Sequence, residues 1–248
     1  MVKPEPVTGE SGSRPGTTAT PGVVSPVQHL VVRYAKRGKM RFASHRDVAR
    51  AFERGVRRAG VPIAHSAGFT PHPKISYAGG APTGVASEAE YLSLTLTSRT
   101  DPAVVRDGLN AALPDGIEVI DIAEDAGGLP ASQLVASEWQ VILPGLPYGH
   151  VAPAVHEFLA LEHAEVERLT SKGMRRMDAR PAVVTIDVTS AGAGDTALRM
   201  IVKHTVPAIR PDDVLTAIRQ VSGVTPDAPP LMTRLAQGSI SESGVVMP

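Results

Sequence analysis

The chain has 248 residues, 42% of them hydrophobic but only 4% aromatic, and its 25 Lys and Arg are matched by 25 Asp and Glu for a net charge of zero. That length allows one large domain or two small ones, with cores filled by Val, Ile, Leu and Ala rather than by rings. The absence of cysteine excludes disulfides, thiol nucleophiles and Cys-ligated zinc or iron–sulfur clusters, and no run reaches the ~18–20 apolar residues that cross a bilayer, so no membrane partner is expected.

Residues 1–27 open as "MVKPEPVTGESGSRPGTTATPGVVSP". The stretch is rich in Pro, Gly, Ser and Thr and lacks the apolar centre of a signal peptide, which predicts a disordered tail and a cytoplasmic location. "VQHLVVRYAK" alternates and is β-branched, so it reads as a strand. "KRGK" then turns, and "MRFAS" is expected to run extended into a helix over about 45–59. Ser44 is the expected N-cap, with Asp47 in the capping-box position, Gly60 at the C-terminal stop and Pro62 beyond it. Val48, Phe52, Val56 and Ala59 make its apolar face. After the loop "SAGFTPHPK" come a short strand, "ISYAG", and a longer one over about 89–97. A helix, "DPAVVRDGLNAAL", is capped by Asp101 with Pro102 at its first position, and the strand "GIEVIDIAE" follows.

The order β-α-β-β-α-β is that of a ferredoxin-like unit. The second half nearly repeats it, with strands in "SEWQVILP", "EVERLT", "AVVTIDVTS" and "ALRMIVKHT", helices in "HVAPAVHEFLALEHA" and "RPDDVLTAIRQV", and a final extended piece, "LMTRLAQGSI". The fold class is therefore read as α+β, two ferredoxin-like units related by an internal duplication. The divisions are a tail at 1–27, a basic unit at 28–125, a linker at 126–136, a second unit at 137–241 and a short tail at 242–248. "KRGKMRFASHRD" and "SKGMRRMDARP" would occupy related places in the two units.

Charge is distributed unevenly. Between Leu30 and Tyr77 eleven Lys and Arg face two acids, Asp47 and Glu53, a local balance of +9 that the rest of the chain offsets. Such a segment is the electrostatic footprint of a phosphate-rich partner. Arg46, Arg50, Arg54 and Arg58 recur every four residues with Arg57 beside them, so they form a ridge whose mutual repulsion costs a few tenths of a kcal/mol (~0.2–0.5) per neighbouring pair. Lys39 and Arg41, with Lys36 and Arg37, flank the helix start, where Ser44, His45 and the first-turn amides favour an anion. No phosphate-cradling Gly-rich loop is present, since "GGAPTG" matches neither nucleotide fingerprint.

In the loop, Pro71 and Pro73 restrain His72, Lys74 adds charge, and Phe69 is free to pack inward or to stack on a base. His72 suits a polar contact or a general acid/base, with Glu88 or Glu90 as carboxylate partner. One of those two glutamates is also expected to receive a basic side chain from the helix. His45, His65 and His72 have no recognised ligand spacing, so no metal and no cofactor is expected.

The run from "RFASHRDVARAFERGVRRAG" through "GFTPHPK" to "GVASEAEYLSLTL" resembles a bacterial family of unknown function, the radical-SAM-linked domain, which is fused to or encoded beside a B12-binding-type radical SAM protein. The matching positions are Ser44, His45 and Asp47, then Gly68, Phe69, Pro71, His72, Pro73 and Lys74, then Gly84, Ser87, Glu88, Glu90 and Tyr91. "KGMRRMDARP", "RPDDVL" and "TRLAQG" extend the likeness over about residues 28–240. The resemblance implies a radical SAM protein as partner and, because standalone members are encoded near a ribonuclease of the E/G type, RNA as the polyanion. A chain without cysteine cannot hold the radical cluster itself. The expectation is a cytoplasmic accessory that binds tRNA or rRNA and presents it to a radical SAM modification enzyme. An enzyme using His72, or a module that docks on the radical SAM protein, are the alternatives.

Overall fold

The structure, a computed structural model, describes residues 26–125, 131–170, 173–192, 194–242 and 244–246. All but the last two residues of the expected N-terminal tail, and residues 126–130 of the expected linker, lie outside the described residues. The first half contains β1 (Gln28–Lys36), α1 (His45–Arg58), β2 (Ile75–Ala78), β3 (Ala86–Leu96), α2 (Pro102–Ala112) and β4 (Ile117–Glu124). The second contains β5 (Ala136–Leu143), α3 (Tyr148–Leu159), β6 (Glu165–Thr170), β7 (Gly173–Asp178), β8 (Val183–Gly192), β9 (Asp195–Lys203), α4 (Pro211–Ser222), β10 (Leu231–Ser241) and β11 (Gly244–Val246). The architecture is mixed α+β: one large, mostly antiparallel sheet of nine strands and, among the described residues, four α-helices and a separate two-stranded ribbon, β6–β7.

Local chemistry places most elements where alternation and caps require them. In β1, Leu30, Val32 and Tyr34 share the buried face. On α1, Val48, Phe52 and Val56 are buried against that face, together with Leu92, Leu94 and Leu96 of β3 and Leu109 of α2. Ser44 and Asp47 form the expected reciprocal capping box: the Asp47 N–H donates to Ser44 Oγ at 3.2 Å and the Ser44 N–H to Asp47 Oδ2 at 3.1 Å. Gly60, with φ of 66°, takes the left-handed position that ends the helix. A second core, around Val141, Phe158, Leu198, Met200 and Val214, joins β5 and β9 to α3 and α4.

Within each half the strands run in the same spatial order. It is β4-β1-β3-β2 in the first and β10-β5-β9-β8 in the second, with every neighbouring pair antiparallel. The halves share one sheet. β10 lies parallel to the start of β3, with Thr233 opposite Ala86 and Arg234 opposite Ser87. It uses the same edge of β3 that β2 occupies further along, at Tyr91 to Leu94.

Four local expectations are corrected. Residues Gly38–Phe42 form a 3-10 turn instead of an extended run, held by Gly84 N–H donating to the Arg41 carbonyl at 2.7 Å. The "KGMRRMD" stretch is no counterpart of the basic helix start. It is β7, where Met177 turns inward while Arg176 pairs with Glu167 and Glu165 of β6. β3 begins three residues earlier than expected, at Ala86. Residues 244–246, expected as tail, bond the end of β10 as β11.

Candidate nucleic-acid interface

The α1 helix turns its arginines outward because its apolar residues occupy the opposite side of the helical period. Arg46, Arg50, Arg54 and Arg57 are all exposed. None makes an ion pair or hydrogen bond among the described residues, and Glu53, the acid positioned to neutralise them, pairs with none. Asp47, the other acid, is engaged by Ser44; its carboxyl is held below the usual range by those hydrogen bonds, with Arg50 and Arg46 adding to the effect. Apart from that pull of Asp47 on Arg46 and Arg50, no ion pair offsets the repulsion along the ridge among the described residues. Arg58 differs from the others, since its Nη1 donates to the Ala112 carbonyl at 3.1 Å and ties α1 to the end of α2.

The basic count is refined at the helix start. Lys36 shares the parity of Leu30 and Val32, and it is buried. Arg37 is spanned between Glu88 and Glu118, whose carboxylates hold its guanidinium well above its ordinary value. Lys39 and Arg41 remain for a partner, and the Arg41 guanidinium lies 4.6 Å over the ring of Phe42, itself 60% exposed. Phe42 was missed from sequence. An aromatic beside an arginine in "MRF" was the available signal, but the extended reading hid its outward position.

The "SAGFTPHPK" loop is closed by its own backbone: Ser66 N–H donates to the His72 carbonyl at 2.8 Å, the His72 N–H to Ser66 Oγ at 3.0 Å, and Lys74 N–H to the Ala64 carbonyl at 2.7 Å. Phe69 is fully exposed at its tip and does not pack inward. His72 and Lys74 are exposed, and the His72 imidazole has no hydrogen-bond partner among the described residues. His45, also exposed, meets the Tyr77 ring edge-on at 5.1 Å.

Glu88 and Glu90 are separated in role by a register shift of β3 against β1 between Tyr34 and Lys36. Glu88 goes to Arg37. Glu90 is buried and pairs with Arg234 of β10, each side chain only 4% exposed; the basic partner expected from α1 comes instead from the other half of the chain. Neither carboxylate is hydrogen-bonded to His72. Around the buried pair, Arg234 also donates to Ser87 Oγ at 3.3 Å and to Gln237 Oε1 at 3.1 Å. The segment Gly79–Pro82 lies across the pair as a strap. Ala81 N–H donates to the Glu90 carboxylate at 3.0 Å, Gln237 Nε2 to the Gly79 carbonyl at 3.3 Å, and Lys36 Nζ to the carbonyls of Ala81 and Pro82 at 3.3 and 3.4 Å. Gly79 is required here: its φ is 61°, and a Cβ would stand 2.5 Å from Gln237 Oε1. Burial pushes the Lys36 ammonium below its ordinary value, against the opposite pull of Glu90. Among the described residues no group of three His, Asp or Glu could hold a metal ion, and no helix is long and apolar enough to cross a membrane.

Fold and surface together define a mixed α+β protein with a cationic helical face and a charged junction between its halves. Residues 29–211 match the model of a family described as an uncharacterized protein conserved in bacteria (DUF2344), and the chain belongs to that family. No curated protein is matched. Among solved structures, similarity extends over 88% of this chain and 54% of a chain from the crystal structure of a Cbf5-Nop10-Gar1 complex, at 12% identity and a TM-score of 0.50. An archaeal box H/ACA sRNP Nop10-Cbf5 complex gives 89% and 51%, at 12% identity and a TM-score of 0.45. The chain therefore spans about half the length of the structures it matches, and at this identity the likeness concerns the fold alone.

Proposed function

We propose that the protein binds structured RNA, tRNA or rRNA, through the outward face of α1, and that it presents this RNA to a radical SAM modification enzyme in the cytoplasm. The observation that carries the RNA reading is the row Arg46, Arg50, Arg54 and Arg57, exposed and in no ion pair among the described residues. A row of like charges that the fold leaves unneutralised is relieved by a polyanion, whose phosphates take the place of counterions. Lys39, Arg41 and Lys74 widen the cationic surface. Phe42, Phe69 and His72 supply rings on which single-stranded bases stack.

The radical SAM partner rests on the sequence resemblance at Ser44, His45 and Asp47 and in the "GFTPHPK" loop; a cysteine-free chain would leave the radical chemistry to that partner. The same resemblance suggests a ribonuclease of the E/G type as neighbour. The shared strand order of the two halves supports their origin as a duplicated ferredoxin-like unit. The exposed, unpaired imidazole of His72 favours a contact role over acid/base chemistry.

Ultraviolet crosslinking in living cells, followed by sequencing of the attached RNA and mapping of the modified peptides, tests the reading. The expected result is enrichment of tRNA or rRNA, with crosslinks within residues 38–58 and 65–74. Recovery of no RNA above an untagged control would remove the RNA from the proposal and leave a protein surface as the partner of the ridge.

A further inference from the structure

On the α1 side of the Gly79–Pro82 strap lies a cleft of about 270 Å³, with Tyr34, Lys36, His45, Val48, Gly80 and Glu90 among its walls. We propose that this cleft takes the base of one nucleotide extruded from bound RNA, a proposal that rests on the RNA-binding reading above.

The polar groups of the cleft are incompletely satisfied. Tyr34 lines the cleft, and its hydroxyl makes no hydrogen bond among the described residues; a ligand in the cleft can both donate to it and accept from it. Lys36 has three donors, and its two acceptors, the carbonyls of Ala81 and Pro82, are distant at 3.3 and 3.4 Å. Glu90 can only accept. Arg234 and the Ala81 N–H use part of its capacity, and a carboxylate offers about four lone-pair sites. The walls thus present a cationic donor, a phenol that donates or accepts, and an anionic acceptor. A base edge, which carries donors and acceptors side by side, matches that set. A simple anion would meet Glu90, and a hydrocarbon would strand all three groups.

The position of the cleft fits the same ligand. His45 is the first residue of α1, so the cleft lies at the N-terminal end of the helix whose outer face carries the arginine ridge. Phosphates held along the ridge would bring the chain of the RNA past the opening, and an unpaired or extruded base would enter, as in proteins that read a nucleotide outside its stack. Gly80 keeps the mouth clear. A Cβ there would stand 3.9 Å from both Glu90 Oε2 and His45 Nδ1, between the two walls, and the backbone at Gly80 is not left-handed, so its conformation does not itself demand glycine.

The test uses the full chain and the four common nucleoside monophosphates, titrated singly and followed by saturation-transfer NMR, with ribose 5-phosphate and inorganic phosphate as controls. A tRNA transcript is bound in parallel. At least one monophosphate should saturate at millimolar concentration, well ahead of both controls. Tyr34→Phe and Lys36→Met should each weaken it about tenfold, and Gly80→Leu, which fills the mouth, should abolish it. Tyr34→Phe removes a hydroxyl that bonds nothing in the fold, so its thermal unfolding should match the parent and its affinity can be read even if another variant fails to fold. Saturation by none of the four, equal binding of ribose 5-phosphate or inorganic phosphate, or an affinity unmoved by Tyr34→Phe overturns the proposal. A protein that binds tRNA but no monophosphate loses the cleft alone. One that binds a monophosphate but not tRNA loses the RNA reading, and the extruded base with it.

Discussion

Glu90 and Arg234 are 144 residues apart in the chain and meet in the interior. Two charges removed from water incur desolvation, and their attraction offsets it only where every remaining polar site is occupied. Here Ser87, Gln237 and the Ala81 N–H supply further partners, leaving Glu90 with acceptor capacity on the cleft side. Breaking the pair from one side should therefore cost far more than removing it whole. Arg234→Met is expected to lower stability by about 3–5 kcal/mol because Glu90 then loses its ion-pair partner in the interior. Adding Glu90→Leu should restore most of that loss, as read from urea unfolding of the two variants. Equal stability of the single and double variants would contradict a desolvation penalty on the unpaired Glu90. At this scale the sequence was half legible. Lys36 stands on the parity of Leu30, Val32 and Tyr34, yet the sequence places it with Arg37 in the cationic helix start, because lysine is ordinarily solvated. That the arginine for Glu90 comes from β10 is not legible, because it depends on a parallel contact of only two residue pairs between β3 and β10, and no local pattern encodes such a contact.

Among the elements, α1 was the most legible, since its cap, stop signal and apolar face are all local chemistry. The 3-10 turn before it was not: Gly38–Phe42 is fixed by Gly84 and by Gly116, where a Cβ would come within 2.7 Å of the Arg37 carbonyl, and both are distant in sequence. The 65–73 loop shows the converse. Its prolines were visible, but its closure through Ser66 and His72, and the outward display of Phe69, depend on backbone geometry that no local pattern encodes. That display has a measurable consequence. Phe69→Ala should leave the melting temperature unchanged while weakening single-stranded RNA by about 1–3 kcal/mol, the usual worth of a stacked base. His72→Gln should weaken it by about 1 kcal/mol, with any modification yield falling only in proportion to binding. A yield lost by roughly 10²–10⁴-fold at preserved affinity would make His72 a general acid/base instead.

For the whole molecule, alternation and helix period were enough to order nearly all the elements, because each half has its own apolar core. How the halves combine was less visible. They merge into one sheet through β10, and the buried Glu90–Arg234 pair lies at that seam. The second half carries its own arginine pair on β7, where Arg176 is matched by Glu165 and Glu167 and Arg175 is exposed with no ion pair among the described residues. The α1 row is distinguished by length, with four exposed arginines on one helix face. The most direct measurement is the salt dependence of tRNA binding by the parent and by the Arg46→Gln, Arg50→Gln, Arg54→Gln triple variant. These side chains make no hydrogen bond or ion pair among the described residues, so the fold should persist, with thermal unfolding unchanged or slightly raised by the relief of repulsion. If α1 binds phosphates, affinity at low salt should fall, and the slope of log affinity against log salt should shrink by roughly two to three, about one per contact removed. A triple variant with the parent's affinity and the parent's slope would contradict RNA recognition by α1.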